Sequence, residues 1–526
     1  MRIIGFFFML LGLLATVGEL NGIAFPTVRW FFETSREIPW LNVYLPWAGF
    51  QFLWFGWLSA MILLLGGLII VIRSWTAGPL SPSNARRLRR FCEIKRGYYS
   101  LIILLALLGI AGLDQMIVGK RALAVKYHGE WYFPAFQEKT YKNKDFGLVG
   151  EDADAPANYR LLKRKLKGSA DGKVIMPLIP FDPTGDTLPP RSKSLVEREG
   201  VYYESGRSSE PYWGLAASYY DVEGSKMHVR YTMRRGVLEG AADGWDSENN
   251  PVYTANYEAG KLVTEEYTGT ASKEEFLAEK SSDLRAVKYH PSPPVIESGN
   301  WLGTTSQGYD VVAYLYGGLQ VNFKAAIIFL PIVYLIGIII GMLMGFFGGW
   351  FDLVVQRIME IFVNVPFLFV VIIISSMVPY RFKGLPVILG ILIFFGWMGI
   401  TALMRTATFR DRGRDYISAA RVMGAGTPRI LFRHLLPNTV AIIVTLVPFS
   451  LSSLISSLAS LDYLGFGLPP EYATWGRLLS DGLSNLSAPW LVTSTFIALV
   501  GLLVLITFIG EAIREAFDPK KFTYYR

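Results

Sequence analysis

Residues Asp415–Asn438 read DYISAARVMGAGTPRILFRHLLPN, a polar stretch between two apolar ones. Tyr416, Ile417, Ala419, Ala420 and Met423 recur at helical spacing, and Gly424-Ala425-Gly426 stops the run, because glycine reaches the backbone angles that end a helix. Thr427 is read as the cap of a second helix with Pro428 at its first position. Ile430, Leu431, Leu435 and Leu436 then form a second apolar face, closed by Pro437. The pattern predicts two short helices joined by a turn. Arg412, Arg414, Arg421, Arg429 and Arg433 keep the stretch out of lipid and on the positive side of a membrane. On these grounds alone an ordinary cytoplasmic loop fits as well.

The surrounding composition calls for a membrane. The 526 residues are 52% hydrophobic, too apolar for an ordinary soluble protein and too many for one domain. The net charge is +8; residues 121–310 carry about −4, so the cationic excess lies beside the apolar segments. That distribution fits positive cytoplasmic loops. It excludes the basic stripe interleaved with aromatics that nucleic-acid binding requires. One cysteine, Cys92, rules out an internal disulfide framework and a multi-cysteine metal site.

Residues 3–20 are apolar apart from Glu19 and follow a basic residue, as in a signal peptide. A second apolar run at Ala48–Ile72, with no small-x-small cleavage site between the two, favours a transmembrane hairpin of Ile3–Gly22 and Ala48–Ile72 within residues 1–80. Its connection, with Trp30, Phe31, Trp40 and Tyr44, suits the outer interface. Residues 81–120 combine the basic segment Ser83–Arg96, expected inside, with a span at Tyr98–Val118. Residues 121–320 are polar, rich in tyrosine and without a spanning run, and so are expected outside. Within them, MHVRYTM and PVYTANYEAGKLVTEEYTG alternate between turn signals. Glu258-Ala259-Gly260-Lys261 signals a hairpin. Tyr203-Glu204-Ser205-Gly206-Arg207 repeats Tyr257-Glu258-Ala259-Gly260-Lys261, a hint of MORN-like hairpins. Ser272–Ser282 is read as a short helix, and a β-rich insert is placed at about 189–287.

Five further spans of roughly the 20 residues a bilayer core needs follow: Asn322–Met344, Ile361–Val378, Val387–Met404, Thr439–Leu461 and Leu491–Gly510. Alternation from the basic segment puts the arginine-rich stretch and Asp518-Pro519-Lys520-Lys521 inside. Lys324, Lys383, Arg405, Asp462 and Glu511 fall at span ends, whereas a proton- or sodium-coupled carrier places such groups near mid-membrane. Gly337, Gly341 and Gly345 point to close helix packing. Ser450, Ser453, Ser457 and Ser460 share one helical face, as pathway lining or as small residues at a helix contact. Leu464–Pro470 breaks that helix, and Ala473–Ser487 is expected to be re-entrant or interfacial.

No catalytic constellation is visible. Gly172-Lys173 lacks the spacing and hydroxyl of a phosphate-binding loop, and His128, His228, His290 and His434 lack metal-ligand spacing.

The 411–438 stretch resembles the EAA loop of ABC importer permeases: Ser418-Ala419-Ala420, then Gly424, then His434 and Leu436-Pro437 at the family spacing. Ser418 replaces the usual Glu, and His434 a hydrophobic residue. NWLGTTSQGYDVVAYLYGG, FFGGWFDLVVQRIMEIF, FGWMGITALMR, LASLDYLGFGLPP and FIGEAIREAFDPKK extend the resemblance. It covers roughly Pro79–Leu188 and Val287–Lys521 and is to C-type permeases of dipeptide/oligopeptide ABC importers. YHGEWYFPAFQEKTYKNKDFG and KYHPSPP are similar to the Yej-type subunit, associated with peptide and microcin C uptake.

The resemblance implies a mainly α-helical polytopic membrane protein of the type I ABC importer permease fold, with residues 321–516 as the transmembrane domain and the β-rich insert outside. It implies no cofactor on this chain, with ATP used by separate ATPase subunits. Its partners would be a B-type permease, those ATPases, a periplasmic solute-binding protein and the bilayer, with no nucleic acid. The chain would be multi-pass in the inner membrane with both termini cytoplasmic. Ser418, Ala419, Ala420, Gly424, Leu436 and Pro437 would form the ATPase-coupling joint. Two other readings are open at this point: a membrane-anchored receptor or envelope module working through the insert, and a secondary carrier.

Overall fold

The computed structural model describes Arg2 to Phe517 except residues 24–31, 33–42, 46–49, 77–81, 138, 149–152, 167–171, 188–190, 199, 206, 221–225, 270–271, 279–283, 289 and 296–298. Trp30, Phe31, Trp40, Gly206 and Asp518–Lys521 therefore lie outside the described residues, and of Tyr44 only the backbone is described. The chain divides into two units: Met1–Asp186 with Val312–Leu483 and Val492–Arg526, and Thr187–Val311 with Ser484–Leu491.

The first unit is mostly helical. Helix α1 (Arg2–Asn21) pairs with α2 (Trp54–Thr76) through small residues. A Cβ on Gly12 would lie 2.8 Å from the Leu64 amide nitrogen, and one on Gly67 would lie 2.6 Å from that of Met9, so the backbones touch. The second apolar run starts later than expected, because Phe50–Phe52 pairs with Val43–Leu45 as a two-stranded ladder, β1–β2. The basic segment is helix α3 (Pro82–Glu93), and α4 (Lys95–Gly112) follows after Ile94.

A small sheet comes next, ordered β4-β3-β5, from β3 (Ala124–Tyr127), β4 (Glu130–Tyr132) and β5 (Gly172–Ile175). It buries Val125 and Val174 with Phe146 and Leu162, the last from α5 (Tyr159–Lys165). This sheet was not legible in advance; its strands are only three or four residues long.

The second unit holds a nine-stranded sheet ordered β13-β12-β11-β10-β9-β14-β6-β7-β8. It begins at β6 (Arg191–Arg198) and ends at β14 (Arg285–Lys288). Between them run β7 (Val201–Glu204), β8 (Arg207–Pro211), β9 (Gly214–Tyr219), β10 (Met227–Arg234), β11 (Val237–Trp245), β12 (Pro251–Glu258) and β13 (Lys261–Tyr267). Ala259 and Gly260, at φ +48° and +82°, make the expected two-residue turn between β12 and β13. Arg235-Gly236 repeats that geometry between β10 and β11, a second hairpin of the same kind. Helix α6 (Lys273–Ala278) lays Phe276 against Val229, Tyr253 and Ala255.

The remaining helices are α7 (Val311–Phe347), α8 (Gly349–Val363), α9 (Phe367–Met377), α10 (Leu385–Asp411), α11 (Asp415–Val422), α12 (Thr427–Tyr463), α13 (Trp475–Ser484) and α14 (Pro489–Phe517). Among the described residues, six helices are long and apolar enough to cross a membrane: α2, α4, α7, α10, α12 and α14. Gly5–Asn21 is apolar but shorter.

Two expected spans differ. Ile361–Val378 is not one helix: α8 and α9 meet at a 78° bend. Pro366 lacks the amide to continue the ladder and drives the preceding residue out of the helical region. Helix α7 begins at Val311 rather than Asn322, which places Lys324 well inside it rather than at an end.

The glycine series works as expected. A Cβ on Gly341 would lie 2.6 Å from the Thr401 carbonyl oxygen, and one on Gly345 2.7 Å from that of Arg405, so α7 and α10 pack backbone to backbone. Met342, Leu389, Met404, Leu454 and Leu458 share the buried cluster around this contact.

Candidate coupling element

A buried carboxylate ends α10 just before α11. Asp411 Oδ1 accepts from Arg410 Nε at 3.0 Å and pairs with Arg414 Nε at 3.1 Å, pinning the chain where α10 ends. Ile417 and Ala420 face inward, while Ser418 and Ala419 are exposed. The helix ends on Gly424, at φ +79°. The Gly424 amide donates to Arg421 O and the Ala425 amide to Ala420 O, each at 2.9 Å, which satisfies two carbonyls the helix end would leave open.

Gly426, not Thr427, caps the next helix, and Pro428 sits in its first turn. Pro437 does not close it. Ile430–Leu435 is wound as a π-helix, and the chain runs on through Leu436 and Pro437 into α12. The wider turn accommodates a proline that has no amide to give, so the arginine-rich stretch and the span are one continuous rod. Leu436 is half-buried and Pro437 exposed.

The element is tied to the helices behind it. Arg412 Nη1 donates to Gly345 O at 3.2 Å, covering an open carbonyl near the end of α7. The Arg421 guanidinium lies 5.1 Å from the Phe346 ring centroid. Arg405 holds Asp352 of α8 through both carboxylate oxygens, Nη2 to Oδ2 at 2.6 Å. The tip itself is apolar and bare: Val422 and Met423 are 89% and 79% exposed. Sequence reading had put Met423 on the helical face and passed over Val422; the signal was two large apolar residues between Arg421 and Gly424. An apolar groove of about 360 Å³ lies between the end of α7 and the start of α12, lined in part by Met342, Phe347, Pro428 and Leu431.

The serine face of α12 is divided. Ser450 Oγ and Tyr334 Oη are 2.9 Å apart, so Ser450 joins α12 to α7. Ser457 is half-buried, while Ser453 and Ser460 are exposed, together with Ser456, which the spacing argument overlooked. Beyond Tyr463 the chain turns at Gly465, φ +80°, and Asp462 Oδ1 accepts from the Leu468 amide at 2.7 Å. Arg477 of α13 donates to the Pro469 carbonyl at 3.1 Å. Tyr380 Oη donates to Glu471 Oε1 at 2.6 Å, which holds that carboxyl below its ordinary range. No group of three or more histidine, cysteine, aspartate or glutamate side chains that could hold a metal ion occurs among the described residues.

A bundle of helices long and apolar enough to cross a membrane, and an arginine-rich hinge continuous with one of them, fit a membrane transport subunit. The family described as binding-protein-dependent transport system inner membrane component matches residues 337–523. The chain is 32% identical over 442 residues to the inner membrane ABC transporter permease protein YejE of Escherichia coli (strain K12), covering 84% of this chain and 98% of that protein. It is 41% identical over 222 residues to the peptidoglycan transport system permease protein YejE of Agrobacterium fabrum, covering 42% of this chain and 58% of that one. It is 31% identical over 224 residues to the oligopeptide transport system permease protein OppC of Bacillus subtilis, covering 42% and 72%. The chain belongs to this family of ABC transporter permeases. It is a transporter membrane subunit and not an enzyme. Membership also decides against the anchored-receptor and secondary-carrier readings.

Proposed function

We propose that this chain is the C-type permease of an ATP-driven peptide importer, and that α11, Gly424 and the start of α12 form the joint that a separate ATPase grips. Two of the relatives named above are permeases for peptidoglycan and for oligopeptides, and a further one is the dipeptide permease DppC of Bacillus subtilis; a peptide is the chemistry common to these three. The insert at about 189–287 would lie outside with the rest of 121–320, the transmembrane domain would occupy about 321–516, and both termini would be cytoplasmic. A B-type permease would complete the pathway, a periplasmic binding protein would deliver substrate, and ATP would be consumed by the ATPase pair. Of the four serines read as pathway lining, Ser453 and Ser460 are exposed and Ser457 is half-buried; Ser450 is engaged within the chain.

The observation that carries the coupling proposal is the bare apolar tip at Val422 and Met423, held by a built helix stop and continuous with a span. Docking would bury both side chains, and a rigid rod would pass the displacement into α12. Among the joint residues, Ser418, Ala419, Gly424 and Pro437 are exposed, whereas Ala420 is part of the packing, so a bulky change there disturbs the fold as well. The test is Val422→Asp with Met423→Asp. Expression and membrane insertion should match the unaltered protein, while peptide uptake and its stimulation of ATPase activity fall at least tenfold. Gly424→Trp should do the same. Full coupling in both variants would overturn the assignment.

A further inference from the structure

Helix α3 plays no part in the proposed coupling, yet it concentrates four arginines beside a span. Arg86, Arg87, Arg89 and Arg90 fall within its twelve residues, with Lys95 and Arg96 just after. At 3.6 residues per turn, Arg86, Arg89 and Arg90 share one side with Glu93, the helix's one acid, and Leu88 and Phe91 lie on the opposite side with Cys92 at its edge. Phe91 is half-buried, but Leu88 is 56% exposed and Cys92 is exposed, so the protein interior covers the apolar side only in part. Arg89 Nε lies 3.3 Å from Glu93 Oε1, with the Arg89 side chain 85% exposed.

Its placement is fixed. Arg96 reaches Glu511 at 3.5 Å and Glu515 at 3.7 Å, and the Arg87 guanidinium lies 4.9 Å from the Phe517 ring centroid. The helix is thereby held beside the end of one span, α14, and leads directly into another, α4. Four arginines in twelve residues cannot continue into hydrocarbon, and an apolar stripe opposite them gains nothing in water. The level that satisfies both sides is the headgroup layer.

We propose that α3 is a membrane-surface helix that binds the phosphates of anionic lipids through Arg86, Arg89 and Arg90 while Leu88 and Cys92 enter the acyl boundary. Guanidinium pairs with phosphate through two parallel hydrogen bonds, so arginine rather than lysine suits this contact. The occupant is a lipid because the apolar side must be covered by the same surface that neutralises the charge. The helix would then fix the depth of the hairpin α1–α2 relative to α4.

Cys92 is the chain's single cysteine and serves as the reporter. The full-length protein is labelled there with an environment-sensitive fluorophore and placed in nanodiscs of phosphatidylcholine alone or of equal parts phosphatidylcholine and phosphatidylglycerol. With phosphatidylglycerol the emission should shift to the blue, and quenching by aqueous iodide should fall several-fold. High salt should reverse both changes without any substitution. Arg86→Gln with Arg89→Gln and Arg90→Gln should abolish the lipid dependence, and the corresponding lysine variant should retain part of it. A label equally accessible to iodide in both bilayers, or a response indifferent to salt, would overturn the proposal.

Discussion

Glycine does opposite work in the contact between α7 and α10 and in the hairpins of the large sheet. In the helical unit Gly337, Gly341 and Gly345 remove side chains so that two helix backbones meet. In the sheet unit Gly236 and Gly260 sit at positive φ and reverse the chain. The difference follows from the solvent. Between helices in lipid, apolar side chains have no water to escape, so association depends on close approach. In water the sheet gains its stability by burying Val229, Tyr253 and Phe276, and its glycines need only set the turns.

The largest effect is expected where space is the constraint. Gly341→Leu would drive a side chain into the Thr401 carbonyl, destabilise the bundle by about 3 kcal/mol or more, and abolish transport. Thermal stability in detergent together with uptake would check it; near-normal values would break the comparison. Gly260→Val acts differently, because the nearest atom to its Cβ is 3.9 Å away in Val237. Only backbone strain of about 1–2 kcal/mol is expected, confined to the sheet and visible as faster hydrogen exchange in β12 and β13.

Ser450→Ala tests a single contact between helices. Losing the hydrogen bond to Tyr334 should cost about 0.6–1 kcal/mol and leave uptake unchanged, whereas Ser453→Leu should lower uptake without lowering stability.

The smallest effect belongs to the small sheet's surface. Lys144 and Lys142, at 2.7 and 3.0 Å, hold the Asp154 carboxyl down from its usual 3.8 to about 2. A depressed folded-state value stabilises above the unfolded one and is lost as pH falls from about 4 toward 2. Asp154 is fully exposed, so Asp154→Asn should shift the melting temperature only slightly at neutral pH, and the shift should vanish in acid.

What was legible in advance follows from the strength of each local signal. Long apolar runs and x-Gly turns announce themselves, and so did the stop at Gly424. The bend at Pro366 was missed because hydrophobicity alone bridges it. The run through Pro437 was missed because a π-helix makes room for a proline that ordinary helix geometry would exclude. The division of the serine face was beyond periodicity, since Ser450 and Ser453 differ only in what packs beside them.

The central claim is that the arginine-rich hinge faces the cytosol and is held there by an ATPase. The most direct test places a cysteine at Val422 in a Cys92→Ser background and applies a membrane-impermeant maleimide. Labelling should occur in inside-out vesicles but not in intact spheroplasts, and assembly with the ATPase should protect the site. Labelling from the outer face, or no protection by any ATPase in the isolated assembly, would contradict the account.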